Sequence, residues 1–507
     1  MAFFTGSSKI FAVIAVFSSL QALADTNFRW NKLEASDKLV WTPCYSGLQC
    51  SLLQVPLDYS SATAGTVSIA IARYPANCTK SEYLGPILLN DGGPGGSGVD
   101  YVVEVGASIA TIIGKQFDIV GFDPRALNQT ADAVAQQWVR AQILGQLAVN
   151  RNDGNLHSTY YHRQHCQRYA PHHRGVWVRE GAILGCLDKV GRVVVDGVMP
   201  MDTWYSAVHI ANLTREAADT DKALQTFFDG CAAAGPEACA FSAPSSIEVA
   251  AKLDALFAAI EIQPVPVITP VSYGVVDYTF LRNSVFHALY SPYDSFVALA
   301  QGLADLAMAN ATTLYTAEEV PPFECDFNST TPFHENGYEA LVAISCGDMA
   351  IESDTVSQLQ AYYASIQAIS TIADLYGPFG ALNTSFPLLV IGNTADPVTP
   401  IAGAKSTVDA FPGSALLTID APGHTSLGAP STCFYGYLRQ YFQNGTLPPQ
   451  GTVCQPDGVL FPPPANAITE GVAPRGLDAW EAELIEASHA IGKATHRAMA
   501  RRLSLAV

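Results

Sequence analysis

Basic residues are scarce in this chain of 507 residues. Lys and Arg number 27 against 46 Asp and Glu, which gives a formal net charge of −19 at pH 7. Because binding to phosphates needs a basic surface, the sequence predicts no nucleic acid and no membrane as partners. Charged residues make up only 14% of the chain and hydrophobic residues 49%, which excludes a disordered protein and leaves ample material for a core. The length allows one large domain with insertions, or two or three domains.

Long apolar runs are also missing. The run from Ile10 to Phe17 is too short to span a bilayer comfortably, and no other stretch of about 18 or more apolar residues occurs. That run follows Lys9, and Ala22-Leu23-Ala24 is typical of a signal cleavage site. We therefore predict a signal peptide over residues 1–24 and a secreted, extracellular protein. A membrane anchor is the alternative.

No Cys-x-x-Cys pair occurs, which disfavours a metal site built from cysteines. The chain nevertheless has 11 cysteines, so a secreted protein of this sequence is expected to contain disulfide bonds and at least one remaining thiol. Pairs that are close in sequence are the easiest to form. The candidates are Cys44 with Cys50, Cys231 with Cys239, Cys325 with Cys346, and Cys433 with Cys454.

Asn-x-Ser/Thr sequons occur at seven positions. In a chain with a signal peptide, such sequons predict N-glycosylation on surface loops. The candidates are Asn77, Asn128, Asn212, Asn310, Asn328, Asn383 and Asn444.

Short apolar runs rich in Val, Ile and Leu predict buried parallel strands, because they are apolar on both faces. They cover residues 86–90, 117–122, 192–197, 387–392 and 415–420. Helical stretches separate them, which predicts an α/β fold with a doubly wound, mostly parallel sheet. We predict a signal peptide at 1–24, a first part of the core at 25–200, a mostly helical lid inserted at 201–380, a second part of the core at 381–470 and a helical tail at 471–507.

Polar residues follow several of these strands, where α/β sheets carry their functional groups. Asp91, Asp123, Asp396 and His424 hold such positions. Asp396, in GNTADPVTP, could accept a hydrogen bond from an imidazole Nδ1–H, and an ordinary Asp-Pro turn is the alternative. His424, in APGHTS, comes one helix and one strand later, whereas a lone histidine is more often a surface or core residue. The order of the two residues favours an acid–base pair.

Glycine is concentrated in NDGGPGGSG at residues 90–98, directly after a strand. Glycine lets the backbone approach a ligand and leaves N–H groups to point at it, as in a loop that binds an oxyanion. Gly92 and Gly93 are the candidates for such a loop. A phosphate-binding loop would need Gly-Lys-Ser/Thr, which is absent here, and a plain tight turn is the other alternative.

Together, NDGGPGGSG, GFDPR, VGRVVVDGV, IGNTADPVTP and GHTS resemble the secreted tripeptidyl-aminopeptidase-like α/β hydrolases, relatives of the proline iminopeptidases. The resemblance covers about residues 38–470. It implies an α/β-hydrolase fold and a serine exopeptidase that trims peptide N-termini by acyl-enzyme chemistry, with an esterase as the near alternative. It also implies Asp396 as the acid, His424 as the base and Gly92 and Gly93 as the oxyanion loop. The substrate would be a peptide or a small ester, with no cofactor and no metal.

The serine of such an enzyme is missing, because Gly-x-Ser-x-Gly occurs nowhere in the chain. If Gly181 ends the turn, Arg179 stands at the position expected for the serine. A guanidinium stays protonated and therefore cannot attack a carbonyl. The chain as written is therefore predicted to be inactive. A catalytically dead binding glycoprotein of the same fold is the alternative function.

The segment before Gly181 has a composition foreign to the rest of the chain. Five histidines and four arginines lie between His157 and Arg179, with no acid before Glu180. A basic surface loop is one interpretation and out-of-frame translation another. A metal site is the third, and it would use His162, His165, Cys166, His172 and His173. Out-of-frame translation is favoured, because CAC and CGC codons shifted by one base become Thr and Ala codons, which suit a helix before the turn.

Overall fold

The computed structural model describes residues 28–56, 65–90, 92–93, 95–123, 191–199, 218–319, 386–463 and 479–504. The strands in these ranges are β1 (Thr42–Cys44), β2 (Leu48–Pro56), β3 (Thr66–Tyr74), β4 (Gly85–Leu89), β5 (Phe117–Phe122), β6 (Val194–Val195), β7 (Val265–Ile268), β8 (Tyr273–Val276), β9 (Leu389–Ala395), β10 (Ala415–Pro422) and β11 (Val453–Cys454). The helices are α1 (Gly98–Ile113), α2 (Thr220–Ala238), α3 (Ser246–Ile262), α4 (Tyr278–Ala288), α5 (Pro292–Ala307), α6 (Thr312–Ala317), α7 (Ile401–Ala410), α8 (Thr432–Asn444) and α9 (Ala479–Ser504).

The strands form two sheets and one separate hairpin. In the first sheet the order is β1-β2-β3-β5-β4, with β4 parallel to β5 and the other neighbours antiparallel. The second sheet has the order β11-β10-β9-β6 and is parallel throughout. Strands β5 and β9 are buried along almost their whole length, as expected of strands covered on both faces. The predicted α/β-hydrolase fold is confirmed. The antiparallel portion formed by β1, β2 and β3 was not predicted, because β2 mixes buried with exposed positions and lacks the uniform apolar pattern.

Helix α1 closes over the first sheet and sets the position of the glycine-rich loop before it. The buried face of α1 includes Val102, Val105 and Ile109, which recur at helical spacing. The helix crosses β5 so closely that a Cβ atom added to Gly121 would lie 1.9 Å from the carbonyl oxygen of Gly98. Only glycine fits at this crossing. The start of α1 is therefore fixed directly above the carboxyl end of β5.

Residues 218–319 form a helical unit with a core of its own. Helices α2 to α6 pack around fully buried aromatic and aliphatic side chains such as Phe227, Leu281 and Phe296. The antiparallel hairpin of β7 and β8 was not predicted within the helical insertion. The boundaries at 201 and 380 lie outside the described residues and stay predictions.

The C-terminal helix α9 packs on the core instead of standing free. Leu484 and Ile491 are fully buried in the same cluster as Val102 of α1 and Leu417 of β10. Among the helices that the structure describes, none combines the length and the apolar character needed to cross a bilayer. Helix α9 lies within the predicted tail at 471–507, whose bounds stay a prediction.

Three of the four predicted cysteine pairs are disulfide bonds in the structure. The Cα–Cα distances are 5.8 Å for Cys44–Cys50, 5.3 Å for Cys231–Cys239 and 5.6 Å for Cys433–Cys454. Cys325 and Cys346 lie outside the described residues, and Cys78 is a free thiol. Cys433–Cys454 ties the first turn of α8 to β11, the neighbour of the strand that leads to His424.

Candidate active site

Asp396 directly follows β9 and is almost completely buried, with 1% exposure. Its Oδ1 accepts the main-chain N–H groups of Val398 at 3.0 Å and Thr399 at 2.8 Å, and its Oδ2 accepts the Thr399 hydroxyl at 2.8 Å. The Asp-Pro turn considered from the sequence is therefore present. The same turn holds the carboxylate in one orientation, facing the loop after the next strand.

That loop carries His424, just beyond the end of β10. His424 Nδ1 lies 3.1 Å from Asp396 Oδ1 and 3.2 Å from Oδ2, and the N–H of Thr425 donates to Oδ2 at 2.9 Å. A carboxylate only accepts, so we assign the imidazole proton to Nδ1 and the basic lone pair to Nε2. The His424 side chain is 22% exposed, so the ring keeps access to a substrate. The structure thus brings Asp396 and His424 together.

Asp396 and His424 each stabilise the charged form of the other. Burial alone would raise the pKa of Asp396, but the charge of His424 and hydrogen bonds from His424, Thr399 and Thr425 outweigh it and lower the pKa. Burial alone would lower the pKa of His424, but the charge and hydrogen bond of Asp396 and the charge of Asp196 raise it above its ordinary value. A base of this kind is neutral only above that raised pKa, so any reaction that needs it weakens as the pH falls.

Two further side chains hold the His424 loop and were not found from the sequence. Asn393 in β9 donates from Nδ2 to the carbonyl oxygens of Gly423 at 2.8 Å and Thr425 at 2.6 Å. Asp196, which directly follows β6, accepts hydrogen bonds from Ser426. Asp196 lies in the VGRVVVDGV motif, and its place after a strand was the only signal available.

The glycine-rich loop has the backbone that glycine permits, with φ of +74° at Gly92 and +115° at Gly93. The N–H of Gly92 donates to Asn90 Oδ1 at 2.8 Å, and the carbonyl oxygen of Gly92 accepts the N–H of Gly96 at 3.0 Å. The amide of Gly92 is thus used inside the loop, which leaves Gly93 as the better candidate for an oxyanion. Asp91 lies outside the described residues.

Asp123 serves the start of α1 and not the acid–base pair. The side chain is fully buried, and Oδ1 accepts the Ser97 hydroxyl at 2.7 Å and the N–H of Val99 at 3.2 Å. Ser97 in turn caps the helix by accepting the N–H of Asp100 at 3.0 Å. Asp123 therefore anchors the end of the glycine-rich loop to β5.

The helical unit contacts the loops that carry Asp396 and His424. The carbonyl oxygen of Tyr290 accepts the N–H of His424 at 2.9 Å, and the two rings meet edge to face with centroids 5.1 Å apart. The Thr220 hydroxyl donates to the carbonyl oxygen of Pro397 at 2.5 Å, next to Asp396. The helical unit thus supports the loops of Asp396 and His424 directly.

The expected nucleophile position, Arg179, lies outside the described residues, as do His162, His165, Cys166, His172 and His173. Of the predicted catalytic residues, Asp396, His424, Gly92 and Gly93 are therefore the ones whose geometry is defined.

Several known hydrolases are similar to this chain. Residues 378–454, which contain Asp396 and His424, match the family model described as TAP-like protein. Serine protease Hip1 of Mycobacterium tuberculosis is 23% identical over 498 residues, covering 82% of this chain and 90% of that protein. Carboxylesterase B of the same species is 24% identical over 490 residues, covering 80% and 86%. Tripeptidyl aminopeptidase of Streptomyces coelicolor is 34% identical over 99 residues, 18% of each chain. These similarities support a TAP-like α/β hydrolase.

Proposed function

We propose that this protein descends from serine hydrolases that cleave peptides from the N-terminus through an acyl-enzyme, and that the chain as written does not complete that reaction. The Asp396–His424 pair carries the proposal, with Nδ1 and Oδ1 3.1 Å apart at the ends of adjacent strands. In the ancestral reaction His424 Nε2 removes the proton of the nucleophile and returns it to the leaving amine. Asp396 holds the ring and stabilises the imidazolium, while the Gly93 amide donates to the oxyanion.

Peptides are the substrate class that we propose, with small esters second. The same acid–base pair serves both, because either leaving group departs from a tetrahedral intermediate that the base has helped to form. The resemblance to tripeptidyl aminopeptidases favours peptides, and the similarity to a carboxylesterase keeps esters as the alternative. The insertion, which touches His424 through Tyr290, would select between them. An assay that pairs chromogenic tripeptide amides with short esters separates the two.

The chain as written is expected to remain unlabelled by a fluorophosphonate probe. Such a probe reacts only with an activated serine, and Arg179 stands at the position expected for that serine. The measurement compares the purified protein with a serine protease such as Hip1 as positive control. Specific labelling that the His424→Ala variant abolishes would contradict the proposed inactivity and reveal a nucleophile elsewhere in the chain.

We also propose that the protein is secreted after removal of residues 1–24 and is N-glycosylated. Asn77, Asn310 and Asn444 are exposed, as the modification requires. The other sequons, at Asn128, Asn212, Asn328 and Asn383, lie outside the described residues. Expressed in a secreting eukaryotic host, the protein should begin at Asp25 and lose mass on digestion with an N-glycosidase. An intact Met1 or an unchanged mass would count against this proposal. An unlabelled, glycosylated protein would favour the binding glycoprotein as its present function.

A further inference from the structure

We propose that Asp196 is a positioning residue for His424, a second carboxylate that holds the base from the neighbouring strand. The proposal rests on the acid–base role of His424 proposed above. Asp196 follows β6 as Asp396 follows β9, and these two strands are parallel neighbours. Their carboxyl ends therefore bring both carboxylates to the same edge of the sheet.

In the described part of the chain, the hydrogen bonds between Asp196 and the His424 loop come from Ser426. Both carboxylate oxygens accept the main-chain N–H of Ser426 at 3.1 Å, and Oδ2 also accepts its hydroxyl at 2.6 Å. Ser426 is 2% exposed, so water does not replace these bonds easily. One carboxylate thus fixes the backbone two residues beyond the base.

The loop needs such support because its backbone is not relaxed. Thr425 has a φ of 60°, in the region that favours glycine, and it stands between His424 and Ser426. A conformation of this kind persists only where surrounding contacts hold it. Asp396 and Asn393 hold the N–H and the carbonyl oxygen of Thr425, and Asp196 holds the residue that follows.

The backbone just after β6 also lies against the imidazole. A Cβ atom added to Gly197 would lie 3.2 Å from His424 Cε1 and 2.7 Å from Thr425 Cγ2. The backbone after Asp196 therefore passes the edge of the ring without room for a side chain. This approach restricts the ring at its Cε1 edge.

Among the described residues, the charged and titratable groups that act on His424 are Asp396, which follows β9, and Asp196, which follows β6. The helical unit places the phenol ring of Tyr290 against the imidazole. Burial raises the pKa of Asp196, and hydrogen bonds from Ser426 and the charge of His424 oppose that rise. Two carboxylates facing one imidazolium predict that removal of the Asp196 charge lowers the pKa of His424.

The test uses the full chain and no catalytic readout. NMR titration of the His424 ring, assigned with a His424→Gln variant, measures its pKa, and amide exchange of Ser426 measures how firmly the loop is held. We expect Asp196→Asn, which keeps an acceptor for Ser426, to lower the pKa of His424. Ser426→Ala keeps the charge, so it should leave that pKa near the wild-type value but accelerate exchange of its own amide by about tenfold or more.

The matched control is Asp420→Asn, an exposed carboxylate on β10 that accepts the Thr394 hydroxyl at 2.9 Å. It should change neither readout. If Asp196→Asn left the pKa of His424 unchanged and Ser426→Ala left the amide exchange unchanged, the positioning role would be wrong. Neither measurement needs a nucleophile, so an unexpected result with the fluorophosphonate probe would affect the proposed function and not this inference.

Discussion

A transcript read one base over between about codons 157 and 180 is expected to encode an active hydrolase. The shifted frame should give a helix rich in Thr and Ala, followed by a Gly-x-Ser-x-Gly turn just before Ala182. Relative to the chain as written, kcat should rise on the order of 10⁴- to 10⁶-fold, the size of the loss when a catalytic serine is removed from an intact triad. Sequencing the cDNA across codons 150–192 tests the frame, and hydrolysis of tripeptide amides tests the activity.

The physical reason is consistency between the parts of the site. Asp396 and His424 lie within hydrogen-bonding distance of each other, and Gly92 and Gly93 have the positive φ angles that glycine permits. Among the described strands, β4 is an edge strand of the first sheet and β6 is an edge strand of the second. Leu88 on the edge strand β4 is 64% exposed. An apolar strand in the shifted frame would suit a parallel sheet, whereas a polycationic run would not.

The control is the His424→Ala variant of the shifted-frame protein. It should lose fluorophosphonate labelling and nearly all turnover, because the serine would then lack its base. An uninterrupted reading frame that matches the present residues, found in a stably secreted protein, would contradict the frame-shift hypothesis. That result would favour a binding glycoprotein that retains the fold.

The proximity of Asp396 and His424 could be predicted because the signals for it are local in the sequence. Each residue follows a short apolar run that is typical of a buried strand, and parallel strands place their carboxyl ends together. One helix and one strand lie between Asp396 and His424, which predicts that the strands before these two residues are neighbours. The pairing of β9 with β10 confirms this. The short-range pairs Cys44–Cys50 and Cys231–Cys239 are local in the same sense.

The contacts that stabilise the pair are not local, which is why the sequence did not reveal them. Asp196 and Ser426 are 230 positions apart, and nothing near either residue indicates the other. Tyr290 reaches His424 from the helical insertion through a carbonyl oxygen, a group that every residue carries. The glycine pattern predicts an oxyanion loop at Gly92 and Gly93, but it does not show that Asn90 accepts the hydrogen bond of the Gly92 amide.

Asp396→Asn is expected to have the second-largest effect. Asparagine removes the charge that raises the pKa of His424, so that pKa should fall, since burial of the ring then acts with less opposition. Asparagine also has one acceptor oxygen instead of two. The carboxylate accepts the N–H groups of Val398, Thr399 and Thr425, so a buried donor loses its partner in the variant. In a serine-containing form of the protein, kcat should fall by roughly 10⁴-fold, because the imidazole is no longer held in the correct tautomer.

The stability of the same variant should depend on pH in a defined direction. The pKa of Asp396 is lowered in the folded state, so its contribution is present above about pH 4 and is lost as the pH falls through the lower folded value. The pKa of His424 is raised, so its contribution is present below about pH 6.5 and is lost as the pH rises through the raised value. The ion pair is therefore complete near pH 5, where Asp396→Asn should cost about 1–3 kcal/mol of unfolding free energy, and it should cost less near pH 9. Urea unfolding at both pH values, with Asp420→Asn as the control, measures the difference; an equal cost at both would mean that the pair contributes no charge interaction to the fold.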